Sequence, residues 1–358
     1  MMDRFRVLAI NPGSTSTKIT VYDNEQLLIE KVVRYSNEEL VPFEAVIEQY
    51  EFRKNGILKI LAENNLDIGT LDAVVGRGGL LKPIEGGTYA VNEAMFEDLR
   101  LAQRGEHASN LGGIIAKEIA DNLTIPSFIV DPVVVDELAD IARVSGLPDC
   151  DRISIFHALN QKAVARRISK ELGKSYDEAN LIVAHMGGGI TVGVHQGGRV
   201  IDVNDGLYGE GPFTPERTGG IPTGHLIKLC FSGKYSMSEV NKLIAGKGGL
   251  VAYLGTNDGR EVGKMIEAGN EKAKLVYEAM AYQIAKEIAA GSAVLSGVVD
   301  SIVLTGGLAY DKMLVKLIAD RVSFIADVQV VPGENEMIAL TEGALRVLRG
   351  EEKAKEYK

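Results

Sequence analysis

Two patterns of apolar and polar positions take turns along the chain. Residues 6–11 and 17–23 are apolar, β-rich runs on either side of Pro12-Gly13-Ser14-Thr15-Ser16, which predicts strand, glycine turn, strand; residues 27–33 offer a third strand. Residues 44–65 change to helical spacing through Val46, Ile47, Tyr50, Ile57, Leu58 and Leu61, and residues 71–75 read as a buried strand. A helix over 109–122, a strand over 125–130 and a helix over 134–144 continue the alternation. An amphipathic helix over 153–172 then leads to a strand over 181–185, the turn Met186-Gly187-Gly188-Gly189 and strands over 190–195 and 199–203. The later chain carries capping-box spacing at Ser236 and Glu239, a long helix from Glu271, strands over 301–305 and 328–331, and a helix over 311–322.

The return of the hairpin with a glycine turn predicts a duplicated α/β fold. A length of 358 residues suits two domains. The loop Ser145-Gly146-Leu147-Pro148-Asp149 suggests a boundary near residue 150, giving domains 1–150 and 151–336.

Composition narrows the function. The apolar share of 46% and charged share of 25% are those of a globular protein, which excludes disorder. A net charge of -10 argues against nonspecific nucleic-acid or anionic-membrane binding, so an anionic substrate needs a locally cationic pocket. Cys150 and Cys230 are too few for a disulfide framework or a four-cysteine zinc site, which suits a reducing cytoplasm. The opening Met1-Met2-Asp3-Arg4 leads at once into a strand-like run, so no secretion leader is expected. The uncharged, mostly apolar stretch at residues 288–299 is too short for a membrane helix.

The glycine turns carry the candidate chemistry. Asn11-Pro12-Gly13-Ser14-Thr15-Ser16-Thr17-Lys18 sets turn N–H groups, hydroxyls and one lysine between two strands, a combination that suits a phosphate. An ordinary hydroxyl-rich hairpin is the alternative, and the Walker pattern is absent. His185-Met186-Gly187-Gly188-Gly189 permits close backbone approach to a ligand or is a plain tight hairpin. Leu304-Thr305-Gly306-Gly307-Leu308 joins a strand to a helix, where a nucleotide can lie.

That ordered set resembles the acetate and sugar kinase, heat-shock chaperone and actin superfamily, and within it the acetate kinase family, on the side of its butyrate branch. The likeness runs across nearly the whole chain. Besides the three turns it rests on Gly76-Arg77-Gly78-Gly79, Asp131-Pro132, Phe156-His157, Arg217-Thr218-Gly219-Gly220, Asp258-Gly259-Arg260 and Pro332-Gly333-Glu334-Asn335-Glu336. The resemblance implies two similar actin-like ATPase domains of ribonuclease H-like fold around a nucleotide cleft, with a C-terminal helix over about 337–358 returning to the first. It implies phosphoryl transfer from ATP to a short-chain fatty acid, giving ADP and an acyl phosphate, with Mg²⁺ as the metal. It also implies a homo-oligomer, a dimer or higher, with dimers formed through the second domain. A carboxylate is already ionised at pH 7 and needs no general base; charge repulsion between two anions is the obstacle.

By the same resemblance Arg77 binds the substrate carboxylate, Arg217 clamps the transition state, His157 donates to the transferring phosphoryl, and Asp131 is catalytic. The ordinary alternatives are a surface ion pair for Arg77, a satisfied core histidine for His157 and a helix N-cap for Asp131. Asn11, Ser14, Ser16, Lys18, His185, Gly187, Gly188 and Gly189 are implied to hold phosphates, and Asp258, Arg260, Gly306 and Gly307 the adenosine side. Asn11 and Glu334 are implied at the metal, with Glu336 a close rival; both glutamates are alternatively helix N-terminal charge. The chain departs from acetate kinases where they carry a valine two positions after Arg77. Here Gly79 is expected to leave room for a longer acid, butyrate or a branched relative. Gly188 replaces an asparagine, and Ala158-Leu159-Asn160-Gln161 replaces a motif with a second histidine. A chaperone- or filament-type ATPase of the same superfamily would need a further domain or a large assembly surface. A dinucleotide oxidoreductase would need Gly-x-Gly-x-x-Gly opening a helix, which the first hairpin lacks.

Overall fold

The structure is a computed structural model that describes residues 4–358; the opening Met1-Met2-Asp3, on which the expectation of no leader rests, lies outside them. The described residues through Val135 form one compact unit with Asn335–Lys358, and Asp136–Glu334 form a second.

In the first unit the strands β1 (Arg6–Pro12), β2 (Ser16–Asp23), β3 (Gln26–Arg34), β4 (Ala73–Arg77), β5 (Thr88–Ala90) and β6 (Ser127–Val130) build one sheet in the order β3-β2-β1-β4-β6-β5. The glycine turn makes β1 and β2 antiparallel, while β4 and β6 follow parallel to β1. Leu8, Ile10, Ile19 and Val21 are buried against Leu111, Ile115 and Ile119 of helix Asn110–Leu123.

The second unit repeats this order. Its strands β7 (Leu181–Met186), β8 (Ile190–Gln196), β9 (Arg199–Val203), β10 (Ser301–Gly306) and β11 (Val328–Pro332) run β9-β8-β7-β10-β11, again an antiparallel meander followed by parallel strands. One face packs Ile182, Ala184, Val192 and Val194 on helix Glu271–Val294; the other packs Leu181, Val183 and Val303 on helix Ala158–Glu171. Burial on both faces explains why β7 and β10 read as nearly continuous apolar runs.

Three expectations need correction. The helix expected over 134–144 is only Asp140–Arg143, because its first half is drawn to the second sheet: Ala139 N donates to Ile201 O, and Glu137 accepts from Val200 N. The buried ion pair of Glu137 with Lys162 holds that segment there, so the loop at 145–149 lies inside the second unit. The helix expected from 153 begins at Ala158, with His157 as its N-cap residue.

Candidate functional site

The sites of both units sit at the carboxyl ends of parallel strands, where α/β folds collect their chemistry. In the first unit the turn after β1 is closed by Gly13 N donating to Ser16 O at 2.7 Å, with Ser14 exposed and Ser16 half-buried. Beneath it lies Arg53 of helix Tyr50–Glu63, 1% exposed. Its guanidinium donates to Gly13 O at 2.7 Å, Ser14 O at 2.8 Å and Ser16 O at 3.1 Å, and its other acceptors are Gln49 Oε1 and Thr17 Oγ1. All five are uncharged oxygens, so among the described residues the cation lies buried without a carboxylate, and burial pushes its pKa below the ordinary value. Sequence reasoning missed Arg53, which reads as one polar position on an amphipathic helix. Lys18 pairs with Glu30 of the neighbouring strand at 3.0 Å.

Asn11 at the end of β1, Arg77 at the end of β4 and Glu336 at the start of helix Glu336–Leu348 meet in one cluster. Asn11 Nδ2 donates to Glu336 Oε2 at 2.7 Å, and Arg77 Nη1 is ion-paired with Glu336 Oε1. Asp131 is 1% exposed and follows β6 with φ at +38°. It accepts from Gly87 N at 2.6 Å, and its own N–H donates to Gly87 O at 3.1 Å. No helix starts there, which removes the N-cap reading of Asp131.

The structure also overturns the volume argument at Gly79. A Cβ at that position would stand 2.6 Å from Asn110 Cα and 2.9 Å from its N. The missing side chain therefore leaves no vacancy; it lets the Arg77 loop lie directly on the start of helix Asn110–Leu123. Gly79→Val is accordingly expected to lower stability by about 1–3 kcal/mol through overpacking. Denaturant midpoints check this, and an unchanged midpoint would contradict the packing.

In the second unit the glycine hairpin closes through Gly187 N donating to Gly189 O at 2.9 Å. Arg217 packs directly against it, since a Cβ on Gly189 would stand 2.6 Å from Arg217 Cζ. Arg217 Nη1 donates to Gly206 O, and Thr214 Oγ1 ties its loop to Gly188 O at 2.6 Å. Burial pushes the guanidinium pKa down against the opposing pull of Glu216 and Asp205. A Cβ on Gly188 would meet the Glu216 carboxylate at an ordinary 3.6 Å.

The rings of His157 and His185 stack at 3.8 Å, 11° from parallel. His185 Nδ1 bonds Asn160 Oδ1 at 2.7 Å, and Asn160 Nδ2 donates to Glu334 O at 2.7 Å. The Glu334 carboxylate comes within 4.0 Å of a Cβ built on Gly187. The two glutamates thus serve different units, Glu336 beside Asn11 and Glu334 beside the glycine hairpin. Asn160 and Gln161 stood out in the sequence as a departure from acetate kinases, not as partners of the histidines, although their spacing from His157 puts all three on one side of the helix.

Asp258, Arg260 and Gly307 line one cleft of about 580 Å³ together with Leu308, Tyr310 and Asp311. Asp258 caps helix Gly259–Glu267 through Arg260 N, and its side-chain bond to exposed Arg260 holds its pKa at about 2. Gly306 ends β10 at φ +87°, so close to the Met186 backbone that no side chain fits.

Among the described residues no group of three or more His, Cys, Asp or Glu side chains is placed to hold a metal. Asn11 and Glu336 together offer hard oxygen donors, which suits Mg²⁺ retaining most of its waters. Among the described residues no helix is long and apolar enough to cross a membrane.

The fold is mixed α/β, with two units of similar strand order, and it has solved counterparts. It is similar to Porphyromonas gingivalis acetate kinase, with a TM-score of 0.77 and 21% identity over 95% of this chain and 99% of that one. It is similar to a propionate kinase from Francisella tularensis subsp. tularensis at 0.72 and 18%, over 95% and 98%. A ROK family protein from Streptococcus pneumoniae superposes at 0.53 and 12%, over 96% and 100%. At such identities the likeness is one of fold. The acetokinase family model matches residues 152–333, just over half of the chain, and the chain belongs to that family. It is therefore a carboxylate phosphotransferase of an ATP- and ADP-using family.

Proposed function

We propose that the protein is a short-chain fatty acid kinase catalysing ATP + butanoate = ADP + butanoyl phosphate. A carboxylate oxygen forms the new bond to the γ-phosphorus as the bond to the β-phosphate oxygen breaks; ADP departs, and no proton is moved. The observation that carries this reading is Arg217, partly buried and packed against the glycine hairpin, where a fixed cation would stabilise the equatorial oxygens of a transferring phosphoryl group. His157 adds a donor to the same group. Arg77 offers a planar fork to the acceptor carboxylate, in exchange for Glu336. Asp131 positions the Gly87 backbone. Ser14, Ser16, His185 and the glycines of the second hairpin take phosphate oxygens, and the cleft at Asp258 and Gly307 takes adenosine. Asn11 and Glu336, or Glu334 on the second unit, would hold Mg²⁺, whose chemistry is neutralisation of phosphate charge.

The choice of butanoate rests on the departures from acetate kinases at Gly188 and residues 158–161, because Gly79 no longer supports it. Acetate or propionate is the second reading, favoured by the named structural relatives. Trapping acyl phosphate with hydroxylamine across linear and branched C2 to C5 acids decides. The expected result is ATP-dependent hydroxamate with the highest kcat/KM for butanoate. A preference for acetate or propionate selects the second reading, and no hydroxamate with any acid overturns both.

A further inference from the structure

A buried chain of polar side chains runs through the second unit behind the two stacked histidines, and its direction can be worked out from atoms whose roles are not negotiable. A backbone carbonyl only accepts. Gln161 Nε2 lies 3.0 Å from Thr191 O, so that end of the amide carries the hydrogens, and the second of them goes to Thr191 Oγ1 at 2.9 Å. Gln161 Oε1 must then be the atom facing His195 Nε2 at 3.2 Å, so His195 carries its proton on Nε2. The remaining nitrogen, His195 Nδ1, accepts from Tyr176 Oη–H at 2.8 Å. In the other direction, Thr191 Oγ1 already accepts from Gln161. Among the described residues its other partner is His157 Nδ1 at 2.9 Å, and Thr191 is 0% exposed. The hydroxyl proton goes to His157 Nδ1, because a buried donor left without an acceptor is costly.

We infer that Tyr176, His195, Gln161 and Thr191 form a directional hydrogen-bond chain that holds His157 as its Nε2–H tautomer, which makes Thr191 and Gln161 positioning residues for phosphoryl transfer. His157 then presents a permanent N–H donor, the form needed to stabilise charge on a phosphoryl oxygen without giving up a proton. Its stacked neighbour is set the opposite way: Asn160 Nδ2 is committed to the Glu334 carbonyl, so Asn160 Oδ1 accepts from His185 Nδ1–H. Gly193 belongs to the same device, since any Cβ there would strike Gln161 Oε1. The kinetic part of this inference rests on the reading of His157 as a phosphoryl donor; the tautomer does not.

Long-range ¹H–¹⁵N spectra of the full chain labelled with ¹⁵N-histidine read the tautomers directly, with resonances assigned by single histidine substitutions. The expected pattern is Nε2–H for His157 and His195 and Nδ1–H for His185. His157 found as Nδ1–H overturns the inference whatever the enzyme's activity. Thr191→Val should leave His157 exchanging between tautomers and lower kcat at least tenfold, with both KM values within about twofold; Thr191→Ser should restore kcat and the tautomer. A purely structural Thr191 would instead lower thermal stability in Thr191→Val with kcat and the His157 signals unmoved, and that result also overturns it. If Thr191→Val does not fold, the wild-type spectrum together with the Thr191→Ser kinetics decides. If hydroxamate is formed with no acid at all, the spectrum still tests the chain while the kinase reading fails separately.

Discussion

Arg217→Ala is expected to lower kcat for acyl phosphate formation at least a hundredfold in a protein that remains folded. Arginines that stabilise a transferring phosphoryl are worth about 10³–10⁵ in rate. Arg217 has the features that make such a cation effective: it is partly buried, its loop is pinned through Thr214 to the glycine hairpin, and its Nη1 is anchored on Gly206 O. Pre-ordering means that little reorganisation is needed when charge develops. Arg217→Lys keeps a positive charge but loses the planar fork, so it should recover only part of the rate. The measurement is steady-state kcat and KM alongside circular dichroism. Near-normal turnover by a folded Arg217→Ala protein would remove this residue from the mechanism.

The strand framework was largely legible because it depends on local pattern. Both hairpins are bounded by glycine turns, and their strands are apolar enough to leave few alternatives, so the predicted runs agree with β1, β2, β7 and β8 to within a residue or two. The segment 134–144 was misread for a physical reason. Its apolar spacing fits a helix, but Glu137 and Ala139 obtain their partners from β9 and from Lys162, far away in sequence. Long-range pairing outweighed local propensity. The start of helix Ala158–Glu171 shifted similarly, leaving His157 outside the first turn.

Of the site, residue types were legible and partnerships were not. Glu334 and Glu336 look interchangeable in Pro332-Gly333-Glu334-Asn335-Glu336. The left-handed backbone at Asn335, φ +48°, together with the start of a helix at Glu336, sends them to different clusters. Gly79 misled because an absent side chain was taken for empty volume, when the space belongs to Asn110. Thr191 read as an ordinary strand position, and Asn160 and Gln161 as a departure from acetate kinases; only the carbonyls they face reveal their orientation.

The second large effect is expected at Arg53. A buried guanidinium whose partners are all neutral pays a desolvation cost that no carboxylate offsets, and the natural compensation is an anion on the outer side of the turn it supports. By drawing the carbonyl oxygens of Gly13, Ser14 and Ser16 inward, Arg53 shapes the turn as well as charging it. Arg53→Met should therefore do two separable things. It takes the Arg53 donor from the carbonyls of Gly13 and Ser14, while Ser16 O keeps Gly13 N, lowering stability by about 2–4 kcal/mol in denaturant titrations. It also removes the charge beneath the turn, weakening ATP binding at least tenfold in equilibrium titration under conditions where the protein is folded. Arg53→Lys retains the charge with fewer bonds, so it should recover affinity more fully than stability. Equal affinity in wild type and Arg53→Met would show that this turn holds no phosphate, and the buried cation would then be a scaffold for the hairpin alone.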